Sequence, residues 1–358
     1  MPHPILIVGS GVIGCAIARE LAVRGVDVTV LDSRPVAGGA TQASAGMLAP
    51  YVEAHDRGPM LDLCVRSLDM YTSAWVTTLW NEGLTVEYQL IGTLEIALTP
   101  ERAAILRQGV RGGWLRPVDV ARTYPQLCPT FGAFTTEEHG FVDAAQLATA
   151  LAISAQRHGA RFRRMRVEAI ERGVDGLHVQ AGGERLLAET VILAAGAWTN
   201  QIAGIHRPPL RPVRGQLIKM RWDSWPLPTI MWGPDCYIVP RPDQDAILVG
   251  ATVEDAGFDE RTTEEGVRGL LKAAQRLIPA LREDALIEAR VGLRPATPDE
   301  LPVLGRDPDI PGLVHASGHY RNGVLLAPIT GKLIADLVAD GVSDPALEAF
   351  SPARFSDR

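Results

Sequence analysis

Ile5-Leu6-Ile7-Val8-Gly9-Ser10-Gly11-Val12-Ile13-Gly14 opens the chain with an apolar run followed at once by three spaced glycines. A helical pattern comes next, with Ile13, Ile17 and Leu21 on one face, and Gly25 stops it. A second apolar run, Val26 to Leu31, delivers Asp32. Strand, glycine turn, helix, strand and acid in this order are what a dinucleotide-binding βαβ unit requires. Gly9 permits the tight turn, Gly11 lets backbone approach a pyrophosphate, and Gly14 lets helix pack on strand. The N–H groups of the first helical residues, Val12 and Ile13 among them, then face the anion. Asp32, with Ser33 beside it, is placed to accept from a ribose diol.

Working outward, 358 residues suffice for two domains and a sizeable core, and 46% hydrophobic with 22% charged residues describes a globular protein. A net charge of −7 argues against a nucleic-acid partner, since a phosphate-backbone surface needs a positive excess. The local run Arg161, Arg163, Arg164 and Arg166 reads equally well as exposed strand arginines. Cys15, Cys64, Cys128 and Cys236 lie far apart without metal-ligand spacing, so reduced thiols, no metal site and a cytoplasmic location are expected. No apolar run approaches the length that spans a bilayer, and no signal segment precedes the first strand.

The small-residue run Gly38 to Met47 can pass close to a ligand and offer backbone and hydroxyl hydrogen bonds. Residues 58–83 read as one helix with Leu61, Cys64, Leu68 and Tyr71 on a stripe. Thr93 to Leu98 alternates as a strand. Asp143 caps a helix running to His158, which Gly159 stops. Thr190 to Trp198 is a buried strand entering a small-residue turn, and a helix lies near 263–277. The closing segment is a strand, Leu313 to Ala316, a glycine-bounded loop, and a helix carrying Ile329, Leu333 and Leu337. These readings predict an α/β protein. A Rossmann-like nucleotide domain (1–85, 141–206 and 287–358) is interleaved with a mixed β-sheet plus helix substrate domain (86–140 and 207–286). Postponing the third strand to about residue 190 fits FAD, a long ligand needing contacts from distant segments.

Further motifs follow in order: Pro212-Val213-Arg214-Gly215-Gln216, Cys236-Tyr237-Ile238-Val239-Pro240-Arg241, Gly292-Leu293-Arg294-Pro295 and Gly318-His319-Tyr320-Arg321-Asn322-Gly323. With the N-terminal glycines and Gly39 to Met47, they make the chain resemble the D-amino-acid oxidase superfamily of flavoproteins, and within it the glycine oxidase branch associated with thiamine biosynthesis. The resemblance runs essentially end to end. It implies FAD-dependent oxidation of glycine or another small amino acid or amine (D-amino acids, sarcosine). Hydride would pass to flavin N5, O₂ would accept the electrons to give H₂O₂, and the imine would hydrolyse to a 2-oxo acid and ammonia. A homo-oligomer is expected.

Such a reaction needs the substrate carboxylate clamped so that its Cα–H points at the ring. A planar arginine fork does this best. Arg294 is the first choice, Tyr237 adds a phenolic hydrogen bond, and Arg321 acts either on the substrate or at its entrance. Arg290, on the face of Arg294, and Arg306 are the nearby decoys. Matching the family residue by residue places Ala40, Thr41, Ala45, Gly46 and Met47 on the flavin-side loop, Val167 against adenine and Gly196 in the turn after the late strand. His319, Tyr320, Asn322, Gly323, Val324 and Leu325, with the helix N-terminus after them, would face the flavin pyrimidine. His319 is expected at the flavin edge or in a structural role, because a substrate bound as neutral amine needs no side-chain base. No cysteine follows Cys236, so non-covalent FAD is expected. Asp235 replaces a histidine and Val253 a larger methionine of related enzymes, which widens the pocket or alters its charge. The rivals are a D-amino-acid dehydrogenase passing electrons to a quinone, a sarcosine-type secondary-amine oxidase, a tRNA-modifying flavoprotein and a non-catalytic flavin module.

Overall fold

Ile5–Val8 is apolar at every position, so it can sit only where both its faces are covered. It becomes a central strand of a six-stranded sheet ordered Val303–Arg306, Leu313–Ser317, Val191–Leu193, Ile5–Val8, Val28–Asp32, Arg161–Arg164. All pairings are parallel except that of Val303–Arg306 with Leu313–Ser317. The chain first builds outward from Ile5–Val8 on one side and later returns on the other. The change of direction leaves a crevice beyond the ends of Ile5–Val8 and Val191–Leu193, where open α/β sheets hold ligands. The computed structural model describes residues 4–53, 58–109, 111–205, 208–222 and 227–355.

The helix Val12–Val23 covers this sheet and packs against two others, Ala144–Arg157 and Ala327–Ala335. Asp143 caps the second as expected, its carboxylate accepting from the N–H groups of Ala145 and Gln146, and Gly159 follows at φ +99°. The predicted 58–83 helix is two helices, Pro59–Ser73 and Trp75–Asn81, parted at Ala74 with φ −154°. Thr72 and Ser73 hydroxyls bond the carbonyls of Asp69 and Met70, competing with helix propagation at this point. Cys64, Leu68 and Tyr71 are buried as expected, joined by Leu63 and Ser67, while Leu61 stays half-buried.

Two sequence expectations change here. The basic run contains a strand of the main sheet, Arg161–Arg164, so a third strand arrives before Val191–Leu193. Being at the edge, it keeps its arginines in solvent, where Arg161 pairs with Asp27 and Arg163 with Glu184. The alternating Thr93–Ile96 is buried on both faces, because it lies inside a second sheet.

That second sheet has eight strands, ordered Leu286–Ala296, Arg211–Arg221, Ala246–Gly250, Tyr237–Arg241, Ile230–Trp232, Thr93–Ile96, Ala133–Thr136, Gly113–Leu115. The helix Glu264–Leu277, capped by Thr263, covers one face with Leu270, Leu271, Ala274 and Leu277. Leu217, Val239 and Leu248 on the other face meet Ala45 and Phe141. The expected domain change at 287 does not match the pairing. Leu286–Ala296 runs antiparallel to Arg211–Arg221 along its whole length, with Val213 opposite Arg294 and Gly215 opposite Gly292. The change expected at 140/141 falls inside Gly140–Val142, which joins Met47–Leu48 and Tyr88–Leu90 in a small sheet. The boundary expected at 206/207 lies outside the described residues.

Candidate active site

One cavity of about 640 Å³ runs from the crevice of the six-stranded sheet to the inner face of the eight-stranded one. Its first end is made of backbone. Gly9 turns at φ +111°, and a Cβ there would lie 2.3 Å from the carbonyl oxygen of Ala194. Gly11 sits at the helix start, which has no side-chain cap and no acid in its first turn. The positive dipole end and its N–H groups are thus left for an anion, apart from Val12, whose N–H donates to Thr41 Oγ1 at 3.1 Å. Asp32 lines the cavity while accepting from the N–H and hydroxyl of Ser10 and from the N–H of Arg34. These bonds fix the carboxylate and leave lone pairs for a diol.

Gly9, Gly11, Val12, Ile13, Asp32, Ser33, Ala40, Thr41, Ala45, Gly46, Met47, Val167 and Gly196 all line this cavity. A Cβ on Gly196 would meet nothing within 4 Å. Gly14 does not line it. Its hydrogen faces the Gly9 carbonyl, where a Cβ would come within 1.9 Å, so it brings helix to turn and touches no ligand space. Arg34 and Trp198 were missed by sequence reasoning and stand in the wall, the guanidinium 4.1 Å over the indole. Arg34 is held there by both carboxylate oxygens of Glu260, at 2.8 and 2.6 Å. No sequence signal marks a contact across 226 positions. Arg241, from the quoted Cys236–Arg241 motif, is buried under the 40–47 loop and donates to the Ala45 carbonyl. Burial lowers its pKa to about 10, against the raising effect of Glu87 and Asp143.

The loop 318–324 closes the middle of the cavity, with His319, Tyr320, Asn322, Gly323 and Val324 on the lining. The Tyr320 N–H donates to the Pro295 carbonyl, tying this loop to the Arg294 strand. Tyr71 and Ser67 hydroxyls donate to the carbonyls of Val324 and Leu325, each at 2.6 Å, so the helix Pro59–Ser73 anchors the same loop. Leu325 is buried off the lining, contrary to expectation. The following helix does not present its N-terminus either. Ala327 donates to the Val324 carbonyl, Pro328 has no N–H, Ile329 donates to Ser67 Oγ and Thr330 to the Leu326 carbonyl. His319 is fully enclosed, with Nε2 3.1 Å from Thr330 Oγ1, and burial pulls its pKa down to about 3. It is therefore neutral across the physiological range.

The far end is built from side chains. Tyr237 and Arg294 both line it, with Trp232 tilted 5.6 Å from the Tyr237 ring. Two glycines make room: a Cβ on Gly250 would lie 2.3 Å from the Tyr237 oxygen, and one on Gly215 2.1 Å from Arg294 Nη1. Arg294 Nη1 donates to the Thr252 carbonyl at 3.0 Å. Among the described residues no carboxylate pairs with it, whereas Arg290 pairs with Glu288 and Arg306 donates to the Leu337 carbonyl. Neither decoy lines the cavity; Arg321 does, its guanidinium 5.4 Å over the Tyr320 ring. Val253 and Asp235 reach the lining, and Asp235 is paired with Arg276, which offsets its charge. Cys236 is buried and its thiol is pushed up to about 12, chiefly by that burial. No described cluster of His, Cys, Asp or Glu could hold a metal ion, and no described helix is long and apolar enough to cross a membrane.

An uncapped helix end, a fixed acid 22 positions from its serine partner and a channel rich in glycine and alanine leading to an arginine fit an adenine dinucleotide with a reactive ring at its far end. Comparison with known proteins agrees. A bifunctional ThiO/ThiG protein of Nostoc sp. is 38% identical over 99% of this chain and 55% of its own length, so the chain spans about half of that relative. The glycine oxidase of Geobacillus kaustophilus is 33% identical over 94% of this chain and 93% of its own. Its crystal structure covers 99% of both chains with a TM-score of 0.93 at 34% identity. An iminodiacetate oxidase from Chelativorans sp. gives a TM-score of 0.88 at 29% identity, over 97% of this chain and 98% of its own. The sequence pattern of the FAD dependent oxidoreductase (DAO) family matches residues 4–337, and with the geometry above it places this chain in that family.

Proposed function

We propose that this chain oxidises glycine or another small amino acid to the imine, with O₂ as electron acceptor. The products are then a 2-oxo acid, ammonia and H₂O₂. The observation that carries the reading is Arg294: a guanidinium on the cavity wall that Tyr237 also lines, held by a carbonyl and paired with no carboxylate among the described residues. Bound FAD supplies the hydride acceptor and the route to O₂. The protein residues do the rest. Arg294 takes the substrate carboxylate with two charge-assisted hydrogen bonds, and Tyr237 adds a phenolic donor. That clamp fixes the direction of the Cα–H bond. The proposed cofactor contacts run from Gly9, Gly11, Val12 and Ile13 through Asp32 and the 40–47 loop to residues 319–324, and no covalent link is expected at the protonated Cys236 thiol. His319, its pKa pulled down to about 3 by burial, is too weak a base for the amine proton; the substrate binds as free amine and its lone pair assists hydride departure.

Val253, about half exposed at the cavity wall, favours a second substrate class in the same site, secondary amines with a carboxymethyl arm such as sarcosine. Purified holoprotein is offered glycine, sarcosine and D-alanine while O₂ uptake and H₂O₂ are followed. Equal H₂O₂ and O₂ with any of them supports the oxidase reading; turnover only with an added quinone assigns a dehydrogenase instead. No reduction by any small amine sinks both.

A further inference from the structure

Arg294 is held by a carbonyl, and how that carbonyl is held has a consequence for the reaction. Thr252 lies just after the Ala246–Gly250 strand, in a segment that stays tied to the Arg211–Arg221 strand by an isolated bridge between Glu254 and Arg214. Its N–H donates to the Gln216 carbonyl and its Oγ1 accepts from the Gln216 N–H at 2.8 Å. The same Oγ1 donates to Glu254 Oε1. Glu254 Oε1 also accepts from Gln216 Nε2 at 2.7 Å, and Oε2 accepts from Arg214 Nε at 2.9 Å and from Nη2. Gln216 is wholly buried and completes its amide on Thr263, accepting from its N–H and donating to its hydroxyl. Burial works to raise the Glu254 pKa, yet bonds from Thr252, Gln216 and Arg214 hold it below the ordinary value. Asp259 adds a second carboxylate to Arg214 at 3.3 Å.

A carboxylate bonded directly to Arg294 would orient the guanidinium but compete with an anionic substrate. A neutral carbonyl orients it and leaves its charge uncompensated. The anion of the site is kept one residue away, where it fixes the carbonyl through the threonine hydroxyl. We propose that Thr252 and Glu254, braced by Gln216 and Arg214, are positioning residues that hold Arg294 in the direction a substrate carboxylate requires. The proposal rests on Arg294 being the carboxylate clamp.

The test uses holoprotein and glycolate, a small carboxylate without an amine, read by perturbation of the visible flavin spectrum. Wild type should bind it. Thr252→Val keeps the shape and removes the hydroxyl, and its Kd should rise about tenfold, with the substrate KM rising in step and FAD content unchanged. Thr252→Ser restores the hydroxyl and should return Kd to within about threefold of wild type. Glu254→Gln should weaken binding by a similar factor. A Thr252→Val protein that binds glycolate within twofold of wild type overturns the proposal, even where its melting temperature falls. So does a Thr252→Ser protein as weak as Thr252→Val. Failure of the underlying reading has another signature: Arg294→Lys then binds glycolate as wild type does.

Discussion

The two ends of the cavity are made by opposite means. At the six-stranded sheet, backbone and small residues form most of the wall: Gly9, Gly11, the uncapped helix start and the 40–47 run leave space and N–H groups, with Asp32 and Arg34 as anchored charges. At the eight-stranded sheet, long side chains on two strands reach inward, and glycines on neighbouring strands are the gaps they pass through. The first end suits a ligand that never changes. The second can alter its substrate by exchanging a few side chains, as Asp235 and Val253 illustrate. Damage at the first end should therefore cost folding and cofactor together, and damage at the second should cost catalysis alone.

The largest effect is expected at the cofactor end. Gly14→Val would push atoms into the Gly9 carbonyl, already 1.9 Å from an added Cβ. Helix and strand must then part, and we expect loss of soluble, FAD-containing protein, or destabilisation beyond about 4 kcal/mol by thermal melting. A yellow Gly14→Val protein with a near-wild-type melting temperature would break the contrast. Acid should act on folding next. His139 and His319 both have pKa values lowered by burial to about 3 from 6.5. Unfolded chains take up these protons first, so stability falls as pH drops from 6.5 toward 3, by about 1.4 kcal/mol per unit for each histidine. Chemical denaturation at several pH values measures this, and a flat profile between pH 6.5 and 4 would contradict it.

At the substrate end, Tyr237→Phe should raise KM about tenfold or more, the worth of a hydrogen bond to a charged group, while the melting temperature stays within a degree or two. A parallel loss of stability would make Tyr237 an ordinary core residue. The smallest effect lies between the regions. Ser67→Ala removes the donor to the Leu325 carbonyl and should cost about 1–2 kcal/mol with little change in KM. A large change in KM would show that the anchored loop sets substrate geometry.

What was legible in the sequence follows the same division. Local chemistry was readable: Asp143 as a cap, Gly25 and Gly159 as stops, and the whole opening βαβ unit. The late arginine and its tyrosine were readable through the resemblance, and both line the cavity. Pairing between distant segments was not. Leu286–Ala296 carries no mark of which sheet it joins, and its partner Arg211–Arg221 decides that. Arg161–Arg164 was readable as an exposed strand, but not as the edge of the six-stranded sheet, which its pairing with Val28–Asp32 decides. Arg34 and Trp198 gave no signal, since Glu260 and Phe258, which hold them, lie in a loop of the other half. The N-terminus of Ala327–Ala335 looked available because a sequence does not display the Ser67 hydroxyl that occupies one of its donors.

The central claim is that Arg294 clamps the carboxylate of the molecule being oxidised. Anaerobic mixing of holoprotein with glycine, sarcosine or D-alanine, following loss of the visible flavin band, tests it most directly. Wild type should bleach with at least one of them. Arg294→Ala, with FAD content and melting temperature retained, should bleach at least about a thousandfold more slowly at equal concentration, the effect of losing both charge and orientation. Bleaching of Arg294→Ala at the wild-type rate would contradict the account.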